Sequence, residues 1–498
     1  MSGYPRPRTA SPVSLADLAA LLGVRAPAGA VAVTGAALAS GQVRPGDLYA
    51  ALPGARRHGA EFVGEAAAAG AAAVLTDPAG APAAAEAGLP ALVVDDPRTA
   101  LGGVAAKVYG DPTRRLTVLG ITGTAGKTST AYLMDAGLRA AGVLPGLIGT
   151  VETRLGDERL TSVRTTPEAP DLQALLATAV ERGVTTVTME VSSHALTLGR
   201  VEGVRFAVAV FTNLGVDHLD FHTDLAEYFA AKAMLFDGRC AHEVVNLDDP
   251  AGRKLVKPET ITVSAGGDPA ARWRADQIVR AGYRQEFQVS GPQGLQLRAS
   301  LSMPGAHNIG NALLALASLT AAGVDPAVAA QGIAECRGVP GRMERVDAPG
   351  PVLGVVDYAH KPDAVTAVLT ALRDVAIGRV ICVIGAGGDR DRGKRPLMGA
   401  AAAAGADVLV VTDDNPRDED PSVVRADVLA GAAGAAEAVE IGGRRAAIDE
   451  AVRRAAPGDV IAVLGKGHEQ GQEVAGEVLP FDDRIELADS LTERFGAR

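Results

Sequence analysis

The stretch Gly120 to Ser129, GITGTAGKTS, follows an apolar run and opens a helical pattern, which is where a phosphate-binding loop belongs. Glycines there let backbone N–H groups curl around an anion, and the helix N-terminus adds partial positive charge. Gly123, Thr124, Ala125 and Gly126 would form the turn, Lys127 would reach the β and γ phosphates of ATP, and Thr128 or Ser129 would offer a hydroxyl to magnesium. The pattern is the short TGxxGK[TS] form, because Ile121 stands where the longer GxxxxGK[ST] needs glycine. An ordinary glycine turn before a helix reads the same way.

A second group sits just past strand-like runs: Glu190 in MEVSSHAL, then Asp217 and His218 in NLGVDHLDFH. A magnesium–ATP site needs one or two protein ligands besides phosphate oxygens and water, and Glu190 with His218 would supply them. Either residue alone is equally at home as a hydrogen-bonded structural group. Lys232 lies in the helical segment EYFAAKAMLF among Tyr228, Phe229, Met234, Leu235 and Phe236. A solvated surface lysine is one reading. The other is a lysine whose apolar surroundings favour the neutral amine, which reacts with carbon dioxide to give an anionic carbamate ligand.

Toward the C-terminus, Asp389 and Arg390 in GAGGDRDRGKRP, Asn415, Pro416 and Arg417 in DDNPRDED, and Gly465 and Glu469 in GKGHEQ each follow a strand run. Arg390 and Arg417 offer forked donors for carboxylates, Asn415 pairs with a carboxylate or an ammonium, and Glu469 can hold an ammonium. That inventory suits an amino-acid zwitterion with an extra carboxylate. DDNPR also reads as a self-satisfied Asp-Asn-Pro turn.

These residues need sheets to bring them together. Up to about Thr113, short apolar runs alternate with Gly and Pro, as in DLYAALPG and AAAVLTDP, and predict a small α/β domain. DPTRR, Asp111 to Arg115, reads as a linker. From Leu116 the runs LTVLGITGTAGKTST, TTVTMEVSSHAL, FAVAVFTNLGVDHLD and EVVNLDDP predict a mostly parallel sheet with crossover helices and functional loops at the strand carboxyl ends. Alternation near Gln285 to Met303 predicts an accessory antiparallel ribbon. Beyond about Val346 the pattern restarts as a second doubly wound unit. The expected class is α/β in three domains: residues 1–113, 114–345 and 346–498.

Composition narrows the classes. With 498 residues the chain exceeds one ordinary core. It holds 48 basic and 59 acidic side chains, a net charge of -11, so nucleic acid is a poor partner and any polyanion must be met by a local amide-rich or basic pocket. Cys240, Cys336 and Cys382 are widely spaced and lack a CxxC pair, which points away from a disulfide framework or zinc site and toward a reducing cytoplasm. MSGYPRPRTASPVSL shows no export signal, and no run of 18 apolar residues occurs, so membrane insertion is not expected.

Taken together, these runs resemble the Mur ligase family along nearly the whole chain, most closely its diaminopimelate-adding branch. GTAGKTS is similar to the family's GTNGKTS loop, and MEVSSHAL, FTNLGVDHLDFH, VPGRME, DYAHKPD, GGDRDRGKRPLMG, DNPR and GKGHEQ match in order and spacing. The chain departs at Ala39 to Gly41, where DSR is usual, at Ala125 in place of Asn, and at Leu198 in place of Gln. The resemblance implies a small N-terminal UDP-binding domain, a central P-loop ATPase domain and a C-terminal Rossmann-like domain. It implies that Lys127, Thr128 and Ser129 hold phosphates and Mg2+, that Glu190 and His218 bind metal, and that Lys232 matches the carbamylated lysine. Nucleotide contacts would come from Asn308, Asn311, Arg342 and Asp357. The UDP-sugar peptide would rest on Ser40, Thr165, Thr166, Ser192 and Arg200, and diaminopimelate on Arg390, Asn415, Pro416, Arg417, Gly465 and Glu469.

The implied reaction is ATP-dependent amide formation in peptidoglycan precursor synthesis, by a cytoplasmic monomer. The D-glutamyl carboxylate of UDP-MurNAc-dipeptide attacks the γ-phosphate, and an amine of meso-diaminopimelate then displaces phosphate from the acyl phosphate. Rival readings are a lysine-adding homologue, which would be expected to lack Arg417; a folylpolyglutamate-type ligase, disfavoured by the N-terminal RPGDLYAALPG; and a non-catalytic nucleotide-binding regulator.

Overall fold

Apolar runs without polar interruption become strands covered on both faces, the condition that parallel sheets require. The computed structural model describes residues 4–54, 56–218, 221–433 and 437–496. The chain folds as two compact units, Met1–Arg274 with Ser290–Leu295 and Gly310–Ile333, and Ala275–Val289 with Gln296–Ile309 and Ala334–Arg498.

Two sheets of the first unit position the site. One is a four-stranded parallel sheet in the order Gly35–Ala37, Asp47–Ala51, Ala73–Thr76, Ala91–Val93. Leu18, Val33, Leu48, Leu75 and Leu92 pack there with Ala174 and Ala177 of the helix Ala169–Glu181. In the larger sheet Thr117–Thr122 lies between Thr186–Glu190 and Phe206–Phe211, all parallel. Pro145–Ile148 flanks Thr186–Glu190, while Cys240–Asn246 and Ile261–Ser264 extend the other side. The chain therefore leaves its central strand toward one side and later returns to the other, the strand-order reversal that opens a crevice at the carboxyl ends. Register makes the alignment close, with Glu190 opposite Ile121 and Phe211 opposite Thr122.

In the second unit the strands run Glu344–Arg345, Leu353–Asp357, Val460–Leu464, Val380–Ile384, Val408–Val411, Ala438–Glu440, parallel after the first pair. Alternation along Val380–Ile384 shows both faces at work. Val380, Cys382 and Ile384 pack against Val365, Leu369, Met398 and Val428 on one side, and Ile381 and Val383 pack against Ile448, Val452, Leu487 and Leu491 on the other. Each such aliphatic side chain contributes on the order of 1.5–3 kcal/mol when fully buried. Asp357, Leu464 and Ile384 align across this sheet, so the loops that follow them are neighbours. The alternating run near Gln285 forms the adjacent strands Arg284–Ser290 and Gln296–Leu301. Among the described residues no helix is long and apolar enough to cross a membrane.

Candidate active site

Strand Thr117–Thr122 runs into a loop that turns at Gly123 and Gly126, with φ of 147° and 83°, and enters the helix Lys127–Ala140. Both glycines are sterically required. A Cβ on Gly126 would lie 2.6 Å from Asn311 Oδ1, and one on Gly123 would collide with Thr212 Oγ1. Asn213 clamps the loop from the next strand: its Oδ1 accepts the Ala125 N–H at 2.9 Å and its Nδ2 donates to the Ala125 carbonyl at 3.1 Å. Thr124 Oγ1 accepts the Gly215 N–H at 2.9 Å and lies 3.2 Å from the Tyr228 hydroxyl.

The two lysines singled out in the sequence meet on one atom. Lys127 Nζ donates to the Gly123 carbonyl at 2.8 Å and Lys232 Nζ donates to the same oxygen at 2.9 Å. Lys232 is 1% exposed, and its Nζ lies 4.2 Å from the centre of the Tyr228 ring. Burial pushes the Tyr228 phenol up, so it stays neutral.

Glu190 ends its strand at 1% exposure. Thr128 Oγ1 donates to its Oε1 at 3.0 Å, the Thr150 N–H to the same oxygen at 2.9 Å, and Thr150 Oγ1 to Oε2 at 3.1 Å. All three partners are neutral. A hydroxyl beside a buried carboxylate is the hard oxygen set that suits magnesium. His218 stands on the loop after Phe206–Phe211 with φ of 54°, its Nε2 3.2 Å from Asp217 Oδ2 and its ring 4.8 Å from that of His194 and 6.0 Å from that of Tyr228. Ser129 follows Thr128 in the first helical turn, half-buried.

A third cluster adjoins Glu190. Thr166 Oγ1 donates to the Glu190 carbonyl at 2.9 Å and accepts the Ser192 N–H at 3.1 Å, while Thr165 Oγ1 lies 3.0 Å from Thr150 Oγ1. Arg200 reaches the Thr166 carbonyl at 3.3 Å and Glu168 at 2.8 Å. Burial lowers its pKa from the ordinary value. Ser40 belongs instead to the short turn Ser40–Gln42 beside the N-terminal sheet.

In the second unit, the loops after Val380–Ile384, Val408–Val411 and Val460–Leu464 converge. Asn415 Nδ2 donates to Glu469 Oε2 at 2.9 Å, and Asn415 Oδ1 accepts from Lys466 Nζ at 2.9 Å. Lys466 is fully buried and also lies 3.2 Å from Glu469 Oε2. Gly465, at φ of 115°, abuts Asp414, whose Oδ2 a Cβ there would strike. Arg417 Nη1 donates to the Gly388 carbonyl at 2.7 Å, and the Gly388 N–H donates to the Asn415 carbonyl at 2.9 Å. Pro416 lies against Gly388, Arg390 lies exposed beside Gly387, and Asp389 accepts the Asp418 N–H at 3.0 Å. Arg444, fully buried, pins two of these loops by donating to Leu464 and Asp413 carbonyls at 2.9 and 3.1 Å while pairing with Asp483 at 2.7 Å.

Beside that cluster Arg342 stacks over the Tyr358 ring at 4.8 Å, and Asp357 Oδ2 accepts the Met343 N–H at 2.7 Å. Burial raises the Asp357 pKa against the pull of Arg342. Asn308 donates to the Pro304 carbonyl at 2.7 Å in the second unit, whereas Asn311 meets Thr130 Oγ1 at 3.4 Å in the first. Sequence reasoning passed over Thr150, Asn213, Lys466 and Glu473. Asn213 and Lys466 stood inside quoted runs, FTNLG and GKGHEQ, while Thr150 and Glu473 carry no local pattern at all.

Comparison with known proteins shows the family. The Mur ligase family, catalytic domain, matches residues 32–109, the Mur ligase middle domain residues 121–319, and the Mur ligase, glutamate ligase domain, residues 341–467. A Streptomyces coelicolor protein called UDP-N-acetylmuramoyl-L-alanyl-D-glutamate--2,6-diaminopimelate ligase is 55% identical over 99% of both chains. One of the same name from Corynebacterium glutamicum is 49% identical over 90% of this chain and 89% of its own. A solved structure of such a ligase superposes with a TM-score of 0.71 at 31% identity, covering 98% of this chain and 100% of that one. A folylpolyglutamate synthase from Mycobacterium tuberculosis, at 20% identity and a TM-score of 0.59 over 80% of this chain and 96% of that one, shares the fold. With three family models in sequence order and near-complete coverage by close relatives, the chain belongs to the Mur ligase family.

Proposed function

We propose that this protein is an ATP-dependent ligase that adds meso-diaminopimelate to UDP-N-acetylmuramoyl-L-alanyl-D-glutamate, through an acyl phosphate, in peptidoglycan precursor synthesis. The observation that carries the reading is the meeting of Thr128, on a glycine-bounded phosphate loop, with Glu190, a buried carboxylate whose partners are all neutral. The names of close relatives supply the substrates.

Lys127 faces the β and γ phosphates and offsets the repulsion between triphosphate and the attacking D-glutamyl carboxylate. Thr128, Ser129, Glu190 and His218 hold Mg2+, which when bound neutralises phosphate charge. Lys232 carries a carbamate: one N–H stays on the Gly123 carbonyl, and the new anion replaces the second of two cations gathered at that oxygen. Asn308, Asn311, Arg342 and Asp357 contact the nucleotide, with the Arg342–Tyr358 stack as a flat surface for a base. Ser40, Thr165, Thr166, Ser192 and Arg200 take the UDP-sugar peptide. Arg390, Asn415, Pro416, Arg417, Gly465 and Glu469 take diaminopimelate, with an arginine on its second carboxylate and Glu469 on an ammonium. Its free amine displaces phosphate, so turnover requires the amine to reach the acyl phosphate.

In this reading residues 1–113 form the UDP-sugar-binding domain, 114–345 the ATP-binding domain and 346–498 the amino-acid-binding domain, and the enzyme works as a cytoplasmic monomer. The deciding experiment is mass spectrometry of the product formed from UDP-MurNAc-dipeptide, ATP and equimolar meso-diaminopimelate and L-lysine. A diaminopimelate tripeptide is expected. A lysine product, or ADP release with no new amide, would overturn the assignment.

A further inference from the structure

Arg417 has a backbone φ of 53°, a left-handed conformation that a residue with a side chain adopts only when its surroundings hold it there. Much of that hold comes from one residue outside every motif. Glu473 lies in the strand Gly471–Val474, which pairs with Glu477–Pro480 as a short antiparallel hairpin. Its carbonyl accepts the Arg417 N–H at 3.0 Å, its Oε2 accepts from Arg417 Nε at 2.9 Å, and its own N–H donates to Asn415 Oδ1 at 3.0 Å. The Ala475 N–H, donating to the Arg417 carbonyl at 2.7 Å, closes the bridge. One residue thus contacts two of the side chains assigned above to the amino acid.

The guanidinium is thereby oriented. Nε is committed to Glu473 and Nη1 to the Gly388 carbonyl, and among the described residues Nη2 has no protein acceptor. We propose that Glu473 is a positioning residue for amino-acid selection, fixing Arg417 so that its Nη2 is presented to the second carboxylate of the incoming amino acid. This rests on the reading that Arg417 binds that carboxylate. A nearby carboxylate also damps the positive field of the arginine. Orientation is the larger effect, because the Arg417 and Glu473 side chains are 22% and 41% exposed and solvent screens their charges. A flexible arginine, by contrast, must be immobilised at each binding event unless the protein has already done so.

The test uses the full chain, with ADP release followed at saturating ATP and UDP-MurNAc-dipeptide while meso-diaminopimelate is varied. Glu473→Ala is expected to raise KM for meso-diaminopimelate about tenfold, with kcat and KM for ATP within about twofold. Glu473→Gln keeps an acceptor for Nε and is expected to restore KM to within about twofold of the unsubstituted enzyme. Arg417→Ala, measured in parallel, reports on the underlying reading. If Arg417→Ala is impaired and Glu473→Ala is not, the positioning role is overturned while the reading stands. Equal impairment of the Gln and Ala variants, or a lower KM in both, assigns the effect to charge and overturns it as well. If Arg417→Ala leaves KM for meso-diaminopimelate unchanged, the reading itself fails and the inference falls with it.

Discussion

Glu190 and Lys466 are charged side chains in places where charge is costly, and each is retained beside polar partners that suit binding more than stability. For Glu190 the proposed partner is Mg2+. Glu190→Gln keeps the shape and the Thr150 Oγ1 contact but removes the charge, so the magnesium requirement is expected to rise at least about tenfold in a metal titration of ADP release, with the fold intact by thermal unfolding. Lys127→Ala removes the charge proposed to face the transferred phosphate, and turnover is expected to fall by about two to three orders of magnitude. Near-normal kcat would refute the loop assignment. Lys466 fixes the amide of Asn415 with its carbonyl inward and its NH2 toward Glu469. Lys466→Met is expected to raise KM for the amino acid about tenfold or more, since a charge-assisted hydrogen bond contributes about 1.5–3 kcal/mol; KM for ATP serves as the internal control.

At the scale of elements, strand ends decide which loops are neighbours, and glycines decide whether the loops can pass. Gly126 combines a left-handed φ of 83° with a Cβ position 2.6 Å from Asn311 Oδ1. Gly126→Ala must therefore both strain the backbone and displace Asn311, and a loss of about 1–3 kcal/mol is expected. Denaturant unfolding checks the stability, and KM for ATP checks the loop; an unchanged value for both would show that the turn relaxes freely. Sequence patterns located this loop, and also DNPR and GKGHEQ, because a phosphate cradle and a strand-end turn demand particular residues at consecutive positions. No pattern located Thr150 or Glu473. Their roles come from partners 40 and 56 residues away in the chain, at Glu190 and Arg417, which local spacing cannot encode.

For the molecule as a whole, acidity is a liability in the second unit. Burial, the largest cause in each case, pushes His360 and His468, whose rings both contact Tyr358, down to about 4. An imidazole free in the unfolded chain takes its proton near pH 6.5. Between about 6.5 and 4 the unfolded chain thus binds protons that the folded one refuses, so the stability these groups confer is complete above about 6.5 and lost as pH falls toward 4. The unfolding midpoint is expected to drop across that window, and the slope should be shallower in His468→Gln than in the unsubstituted protein. A flat profile would mean the rings are already solvated.

The sequence by itself determined the α/β class and the family, and it nominated most residues proposed for phosphate and amino acid, because each is written in short runs whose spacing is dictated by local backbone geometry. Tertiary structure alone decided that Lys127 and Lys232 converge on one carbonyl, that Thr128 and Thr150 donate to Glu190, and that a hairpin without a motif clamps Arg417. These facts depend on strand order and register. A one-residue slip in register would send Glu190 and Glu473 to the opposite faces of their strands while leaving the motifs unaltered.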